Sequence, residues 1–421
     1  MGRSFSILVV SAGEAGADEA QAGLTNLGFR VQTLDFSEAA AAPPIEPQAD
    51  AVVCFGQVDA GFMSGRPVLT VSAEPALDRP SLQAPAHPIQ IAARLRALIR
   101  LSVLESIARL RAEDAHDAGA PPAPNQADED PTSVLYVGAP GPGFLRLQHA
   151  LGAAEVTTVA AFTTFTAFDY MHERAFDAVV LSTDPGPDMA HTVCSAMRRN
   201  TRLYHTPAIL FSRGDGYAQA DEAFARGASD IVSADLAPDQ LRHRITALSA
   251  ERRRRRRAKA LLEASRGAAL LDQSSDLFGP AFGQRHLASL LENAASTGQQ
   301  ISLIGLKATA PVDAGEASTL TALDQFAAML RHCVRAEDLA MRTAADEFVI
   351  ALPQTPSDLA EVVSARVCAI AECTAYEGDR PSAPFRLNLN AHVMEPIAGM
   401  TAEAVTASAL SHAMRPRALG A

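Results

Sequence analysis

The chain of 421 residues contains no tryptophan, no Cys-x-x-Cys pair and no apolar run of membrane-spanning length. Its five cysteines are an odd number, which excludes a complete disulfide framework and favours buried thiols in a reducing cytoplasm. Without a run of about 18 apolar residues, the sequence predicts neither membrane insertion nor a secretory leader. The formal net charge of −12 argues against a general nucleic-acid binder, so we expect no DNA partner.

Short apolar runs alternate with helical patterns in the first part of the chain. The runs lie at residues 7–10, 51–55 and 67–71, and such runs are typical of parallel strands buried on both faces. A helical pattern follows at residues 89–110. It is either the last helix of a domain, prolonged into a linker, or the seam of a dimer.

The same pattern then repeats, which predicts two related α/β domains. Residues 133–138 mirror 6–11, residues 177–181 mirror 50–54, residues 207–212 mirror 67–72, and residues 227–232 add a fifth strand. Between the copies, residues 113–132 are acidic and rich in Pro and Ala, and we interpret them as a linker.

The two copies, at residues 1–112 and 133–250, resemble receiver domains of response regulators, which implies a flavodoxin-like parallel sheet. A receiver needs an acidic pair that binds Mg²⁺, an aspartate nucleophile and a lysine. Several of these residues are missing from each copy, and both copies are therefore predicted to be degenerate. The corresponding positions are Ser11, Ala12 and Phe55 in the first copy, and Gly138, Ala139, Ser182 and Ala234 in the second, where Asp184 lies two residues past the acceptor position.

The C-terminal part combines an Arg-x-x-Asp pair, Arg335 and Asp338, with the five residues Ala-Ala-Asp-Glu-Phe at 344–348. The five residues resemble the signature turn of GGDEF domains with both glycines replaced by alanine. The resemblance implies an α+β, nucleotidyl-cyclase-like domain over residues 272–421, after a linker helix at 251–271. A strand at 301–306 and a hairpin of 339–343 with 348–352 fit that fold.

Diguanylate cyclases join two GTP molecules with the help of carboxylate-bound Mg²⁺. The resemblance places the metal-binding positions on Gly305 and Lys307, and of that set only Asp346 remains. It places the guanine-reading asparagine on Phe282, and a Gly-Asp pair on Thr319 and Leu320. We therefore expect no catalytic residues, no bound metal or cofactor, and no enzyme activity.

The inhibitory site of the family has its counterparts in this sequence. Its ligand, cyclic di-GMP, carries two phosphates and two guanines. Guanidinium groups bind phosphates and the N7 and O6 atoms of guanine, and a carboxylate accepts from the guanine N–H edge. Arg335 and Asp338 supply both chemistries, and Arg366 stands at the position of the family's secondary arginine. We predict that these three residues bind cyclic di-GMP.

Two receiver-like domains followed by a GGDEF domain resemble the PleD-type proteins, and the degenerate turn with an intact Arg-x-x-Asp is most similar to their PopA branch. That resemblance implies a dimeric, cytoplasmic effector at a cell pole, which docks protein partners of a ClpXP-type proteolysis pathway. Two alternatives stay open at this point, a weakly active diguanylate cyclase and a dimeric scaffold with no nucleotide function.

Six consecutive arginines, Arg252 to Arg257, interrupt the otherwise acidic chain. We interpret them as part of a solvated helix that pairs with acidic residues of the same chain. An acidic protein partner and a supporting contact to the dinucleotide are the alternatives.

Overall fold

The structure, a computed structural model, describes residues 5–11, 16–35, 49–56, 65–74, 79–122, 130–184, 186–213, 220–377 and 384–413. These residues fall into two units. The first unit draws on residues 5–103 and 130–257, and the second on residues 104–122 and 258–413.

A parallel sheet of five strands forms from the first part of the chain. Its strands are β1 (Ser6–Ser11), β2 (Arg30–Asp35), β3 (Ala51–Phe55), β4 (Val68–Ser72) and β5 (Ser81–Gln83). They lie in the order β2-β1-β3-β4-β5, which is the flavodoxin-like order. All of β3 is buried, because its apolar residues face packed layers on both sides. Helix α1 (Ala17–Asn26) follows β1, and helix α2 (Pro88–Asp117) follows β5.

The second sheet repeats the first. Its strands are β6 (Ser133–Val137), β7 (Thr157–Ala161), β8 (Ala178–Ser182), β9 (Ala208–Ser212) and β10 (Asp230–Ser233). The order β10-β9-β8-β6-β7 is the same flavodoxin-like order read from the opposite edge. The predicted duplication is therefore confirmed. The helices of this copy are α3 (Pro142–Gly152), α4 (Thr164–Glu173), α5 (Asp188–Arg199), α6 (Ala220–Ala225) and α7 (Pro238–Ala264).

The second unit contains an antiparallel sheet. Its strands are β11 (Ile301–Thr309), β12 (Leu339–Ala344), β13 (Glu347–Pro353) and β14 (Asn388–Met394), in the order β12-β13-β11-β14. The helices are α8 (Pro280–Thr297), α9 (Glu316–Cys333), α10 (Ser357–Cys373) and α11 (Ala402–Ala413). Phe326 and Phe348 meet edge to face in the core, with ring centroids 5.2 Å apart. The predicted fold class, two flavodoxin-like sheets followed by an α+β domain, is confirmed.

Helix α11 lies very close to the middle of β11, at Gly305. A Cβ atom built on Gly305 would lie 2.5 Å from the backbone carbonyl carbon and oxygen of Ala409. Backbone atoms cannot move aside as the end of a long side chain can, so the helix can take this position only where β11 carries no side chain.

Two helices differ in length from their sequence patterns. Helix α2 continues to Asp117, into the segment that is predicted as a linker at residues 113–132. Helix α7 ends at Ala264, before the end of the linker helix predicted at residues 251–271. The domain boundaries themselves stay predictions. No helix within the described ranges is both long and apolar enough to cross a membrane.

Candidate functional site

The loop between α9 and β12 contains the predicted ligand-binding pair. The Arg335 side chain is exposed, whereas Asp338 is only 6% exposed. The Oδ2 atom of Asp338 accepts a hydrogen bond from the backbone N–H of Arg335 at 2.7 Å, and the Asp338 N–H reaches the Arg335 carbonyl at 3.2 Å. The carboxylate therefore closes a tight turn and leaves the Arg335 guanidinium in solvent.

The second carboxylate oxygen of Asp338 is buried and has no hydrogen-bond partner among the described residues. Burial, and after it the neighbouring Glu337 charge, raises the pKa of Asp338 to about 7. The hydrogen bond from the Arg335 backbone and the charges of Arg335 and Arg111 oppose this rise in pKa. A buried acceptor without a partner is costly in free energy, so a donor that reached this oxygen would be bound favourably.

Arg366 lies on α10, close to the start of the same loop. Its side chain is exposed, and its Nη2 atom donates to the backbone carbonyl of Cys333 at 2.7 Å. Cys333 is the last residue of α9, two positions before Arg335. The structure thus brings the three predicted ligand residues together around one loop. Their binding of a ligand stays a prediction.

Arg111 of α2 holds this loop from inside, a role that the sequence analysis did not identify. The side chain is only 1% exposed. Its Nη1 atom donates to the carbonyl of Ala336 at 2.7 Å, and Nη2 donates to those of Glu337 and Asp338 at 2.8 and 3.0 Å. Burial, followed by the nearby Arg266 charge, lowers the pKa of Arg111 to about 10, so the guanidinium stays charged at neutral pH.

A buried histidine and aspartate complete the surroundings of Arg111. The Arg111 Nε–H donates to Nε2 of His286 at 3.2 Å, and His286 Nδ1 lies 2.6 Å from Oδ2 of Asp114. Because Nε2 accepts, the ring proton is on Nδ1 and is donated to Asp114. Burial lowers the pKa of His286 to about 4, so the ring is neutral at physiological pH. Ser289 donates to the other Asp114 oxygen at 2.8 Å.

Lys307 forms ion pairs with both carboxylates of the hairpin turn, Asp346 and Glu347. Lys307 of β11 pairs in register with Glu347 of β13. The Lys307 ammonium lies 3.0 Å from Oε1 of Glu347 and 3.2 Å from Oδ2 of Asp346. The hydrogen bond to Glu347, and then the one to Asp346, raises the pKa of Lys307 above its ordinary value. A positive charge of the protein itself is thus fixed beside the two carboxylates that could otherwise attract a metal ion.

The other predicted catalytic positions offer no metal ligand. Gly305 has no side chain, and α11 excludes one there. Phe282 is only 4% exposed and packs against Phe278 and His286, with ring centroids 4.9 and 5.8 Å away. The position that the sequence analysis assigned to guanine reading is therefore not accessible to a base. The described residues contain no cluster of three His, Cys, Asp or Glu side chains that could hold a metal ion.

Arg342, also missed by the sequence analysis, holds the signature turn. Its Nε and Nη2 atoms donate to the carbonyl of Ala345 at 3.2 and 2.7 Å. Its Nη1 atom donates to Asp324 at 2.6 Å and to Asp272 at 3.3 Å. The turn keeps a defined geometry, although both of its glycines are replaced by alanine.

The acceptor regions of the receiver-like sheets hold few carboxylates. In the second copy, a Cβ atom added to Gly138 would lie 2.4 Å from the Ser182 Cβ and 2.8 Å from the Tyr136 hydroxyl oxygen. Asp184 forms an ion pair with Arg213 at 3.2 Å. In the first copy, Phe55 is buried, and Ala12 lies outside the described residues.

The arginine run pairs in part with its own chain, as predicted. On α7, Arg256 lies 3.0 Å and Arg253 lies 3.7 Å from the buried carboxylate of Asp177. Arg253 also donates to Thr132 at 3.1 Å. These contacts of Arg253 and Arg256 therefore hold the starts of β6 and β8 against α7.

We predict that Arg111→Gln opens the loop and destabilises the second unit by about 2–3 kcal/mol, because three carbonyls, one of them on the buried Asp338, lose a charged donor. The matched control is Arg109→Gln, an exposed residue of the same helix, which should change stability by less than about 0.5 kcal/mol. The measurement is the urea dependence of hydrogen exchange in α8 and β12, which reports this unit separately from the rest. Equal effects of the two substitutions would contradict the role of Arg111.

Comparisons with known proteins give one family match and several similar solved structures. Residues 269–409 match the family described as "Diguanylate cyclase, GGDEF domain", over about a third of the chain. The chain is similar to a sensory box/GGDEF family protein from Caulobacter crescentus CB15, with 20% identity over 33% of this chain and 91% of that chain, at a TM-score of 0.29. It is also similar to the GGDEF domain of DgcB from Caulobacter crescentus in complex with c-di-GMP, with 13% identity over 34% of this chain and 85% of that chain, at a TM-score of 0.30.

A response regulator from Thermotoga maritima is similar with 17% identity over 29% of this chain and 99% of that chain, at a TM-score of 0.26. Comparison with curated proteins gives no match. The family match, together with the antiparallel sheet and its hairpin turn, identifies residues 269–409 as a GGDEF domain.

Proposed function

We propose that this chain is a non-catalytic cyclic di-GMP effector that binds the dinucleotide through Arg335, Asp338 and Arg366. The observation that carries the proposal is the buried Asp338 oxygen without a partner, in a loop where two exposed arginines lie close by. An unsatisfied acceptor beside two guanidinium groups is complementary to a ligand that carries both guanine N–H donors and phosphates.

The chemistry of each residue follows from its position. The exposed Arg335 guanidinium can address N7 and O6 of a guanine, and Arg366 can bind a phosphate bidentately. Asp338 would accept from the N–H edge of the same guanine, which requires a small outward rotation of its side chain. Arg111 would keep the loop backbone fixed during that rotation, because it holds the carbonyls and not the carboxylate.

Loss of catalysis is the second part of the proposal. Lys307 places an ammonium where a cyclase needs a divalent cation, and α11 leaves no space for a carboxylate at position 305. Both changes weaken the binding of metal and triphosphate, on which phosphoryl transfer depends. These features support an effector of the PopA-like branch.

The biological setting is proposed from that resemblance. We infer a homodimer whose receiver-like domains serve docking and dimerisation, because their acceptor positions lack the residues for phosphorylation. Binding of the dinucleotide would favour one arrangement of domains or protomers and so present a surface to partners of a ClpXP-type proteolysis pathway. The proposed location is the cytoplasm, at a cell pole.

A weakly active diguanylate cyclase is the second candidate. It is favoured by the match of residues 269–409 to the cyclase family and by the acidic pair Asp346 and Glu347 in the turn. In that case the Lys307 ammonium would have to leave both carboxylates before a metal ion could bind.

We expect calorimetry to measure micromolar binding of cyclic di-GMP to the full chain and its loss in Arg335→Ala, because the guanidinium contact disappears. The matched control is Arg331→Ala, an arginine of α9 that pairs with Glu263 at 2.8 Å, away from the Arg-x-x-Asp turn. This control should bind as the wild type does. Absence of binding to the wild type at high micromolar ligand would exclude the effector function.

We expect no pppGpG and no cyclic di-GMP when the chain is incubated with GTP and either Mg²⁺ or Mn²⁺, because the metal-binding positions are occupied by Gly305 and Lys307. The reaction is followed by chromatography, with an active cyclase as the positive control. Product that disappears in Asp346→Asn would show that the second candidate is correct.

A further inference from the structure

A cavity of about 330 Å³ in the first unit is lined by an excess of positive charge. Six arginines line it, from α2, α5 and α7, and they are Arg94, Arg96, Arg100, Arg198, Arg252 and Arg255. The volume is at the lower end of the range of about 300–1,000 Å³ that is usual for small-molecule sites. Such charge is unexpected in a chain with a net charge of −12.

The described lining of the cavity carries more positive than negative charge. Glu251 is the one carboxylate among the described lining residues. Both of its oxygens are occupied by Arg94, at 2.5 and 3.1 Å. For Arg96, Arg100, Arg198 and Arg252, the described lining offers no further carboxylate.

Arg198 shows how one of these charges is held in place. Its Nε atom donates to the Gly227 carbonyl at 2.8 Å, Nη1 donates to the Tyr204 and Thr206 carbonyls at 2.8 and 2.9 Å, and Nη2 donates to the Ser229 hydroxyl at 3.2 Å. All four acceptors are neutral. The guanidinium is thus fixed beside the cavity with its full charge uncompensated.

The Arg252 side chain is an independent observation that points to a ligand in the cavity. Its Nε atom is buried and has no hydrogen-bond partner in the described part of the chain. Burial, followed by the charges of Arg256 and Arg255, lowers the pKa of Arg252. Burial, followed by the charge of Arg100, also lowers the pKa of Arg96. The groups around the cavity repel one another, and an anion between them would remove that cost.

We propose that this cavity binds a small phosphate-bearing anion, of the size of pyrophosphate or a nucleoside diphosphate. Guanidinium groups suit phosphate oxygens because each offers two parallel N–H donors. A nucleic acid would need an extended basic face and not a cavity of this volume. The site is separate from Arg335, Asp338 and Arg366, and it does not depend on their function.

The test is calorimetry on the full chain with pyrophosphate and with GDP, in buffer that contains a chelator and little chloride. The double variant Arg100→Gln/Arg252→Gln should raise the Kd for pyrophosphate at least ~10-fold, because two donors of the cavity are lost. The matched control is Arg30→Gln/Arg199→Gln, two exposed arginines of the same unit outside the cavity. It should change the Kd by less than ~2-fold.

Two further experiments show where the anion binds and which kind of anion the cavity accepts. The Arg335→Ala variant should bind pyrophosphate as the wild type does. Loss of binding in this variant would assign the anion to the Arg-x-x-Asp loop and overturn the proposal. Poly-glutamate should compete poorly, and equal competition would mean that the cavity accepts an acidic peptide instead. Absence of saturable binding at millimolar pyrophosphate, or equal losses in the cavity variant and the control variant, would also overturn it.

Discussion

The buried guanidinium of Arg111 is the interaction on which the candidate site depends. One side chain satisfies three successive carbonyls, of Ala336, Glu337 and Asp338, just before β12 begins at Leu339. Leaving a buried carbonyl such as that of Asp338 unpaired would cost roughly 1–3 kcal/mol, so the loop has little freedom to adopt another path. With its backbone fixed in this way, the loop keeps the Asp338 carboxylate inside and the Arg335 side chain outside.

The signature turn illustrates a different constraint, in which one charge replaces another. In the proposed account, Lys307 pairs with Asp346 and Glu347, where a cyclase would bind an exchangeable metal ion. The turn therefore stays ordered without ligand, helped by Arg342 on the Ala345 carbonyl. Gly305 and α11 fit the same account, because a helix packed on the strand stabilises the domain at a position where a cyclase would need a carboxylate.

The sequence was sufficient to predict the elements that are buried on both faces. Strands β3 and β8 are continuous apolar runs, and the hairpin around residues 344–347 follows from its motif. The strands β2 and β7 were not predicted, because they lie at sheet edges, where most of their residues are exposed or half-buried and of mixed polarity. The Arg-x-x-Asp loop before β12 and Arg366 on the following helix were expected from the resemblance to GGDEF domains.

Arg111 could not be predicted, because its partners lie more than two hundred residues further along the chain and are backbone carbonyls, which carry no sequence signal. The contacts of Arg198 also carry no sequence signal, because three of its four acceptors are backbone carbonyls. The motif alignment placed Phe282 at the guanine-reading position, which would have to be exposed to solvent. Phe282 and His286 are four residues apart on one helix, so both side chains lie on its buried face. Tertiary packing decided these positions, and a local pattern does not contain that information.

The most direct test of the central claim is hydrogen exchange of the full chain with and without saturating cyclic di-GMP, read by mass spectrometry. The account predicts slower exchange in the loop at residues 334–339 and around Arg366 on α10, with little change in the turn at residues 344–347. Protection confined to that turn and to β11 around Lys307, or no protection in the loop, would contradict it.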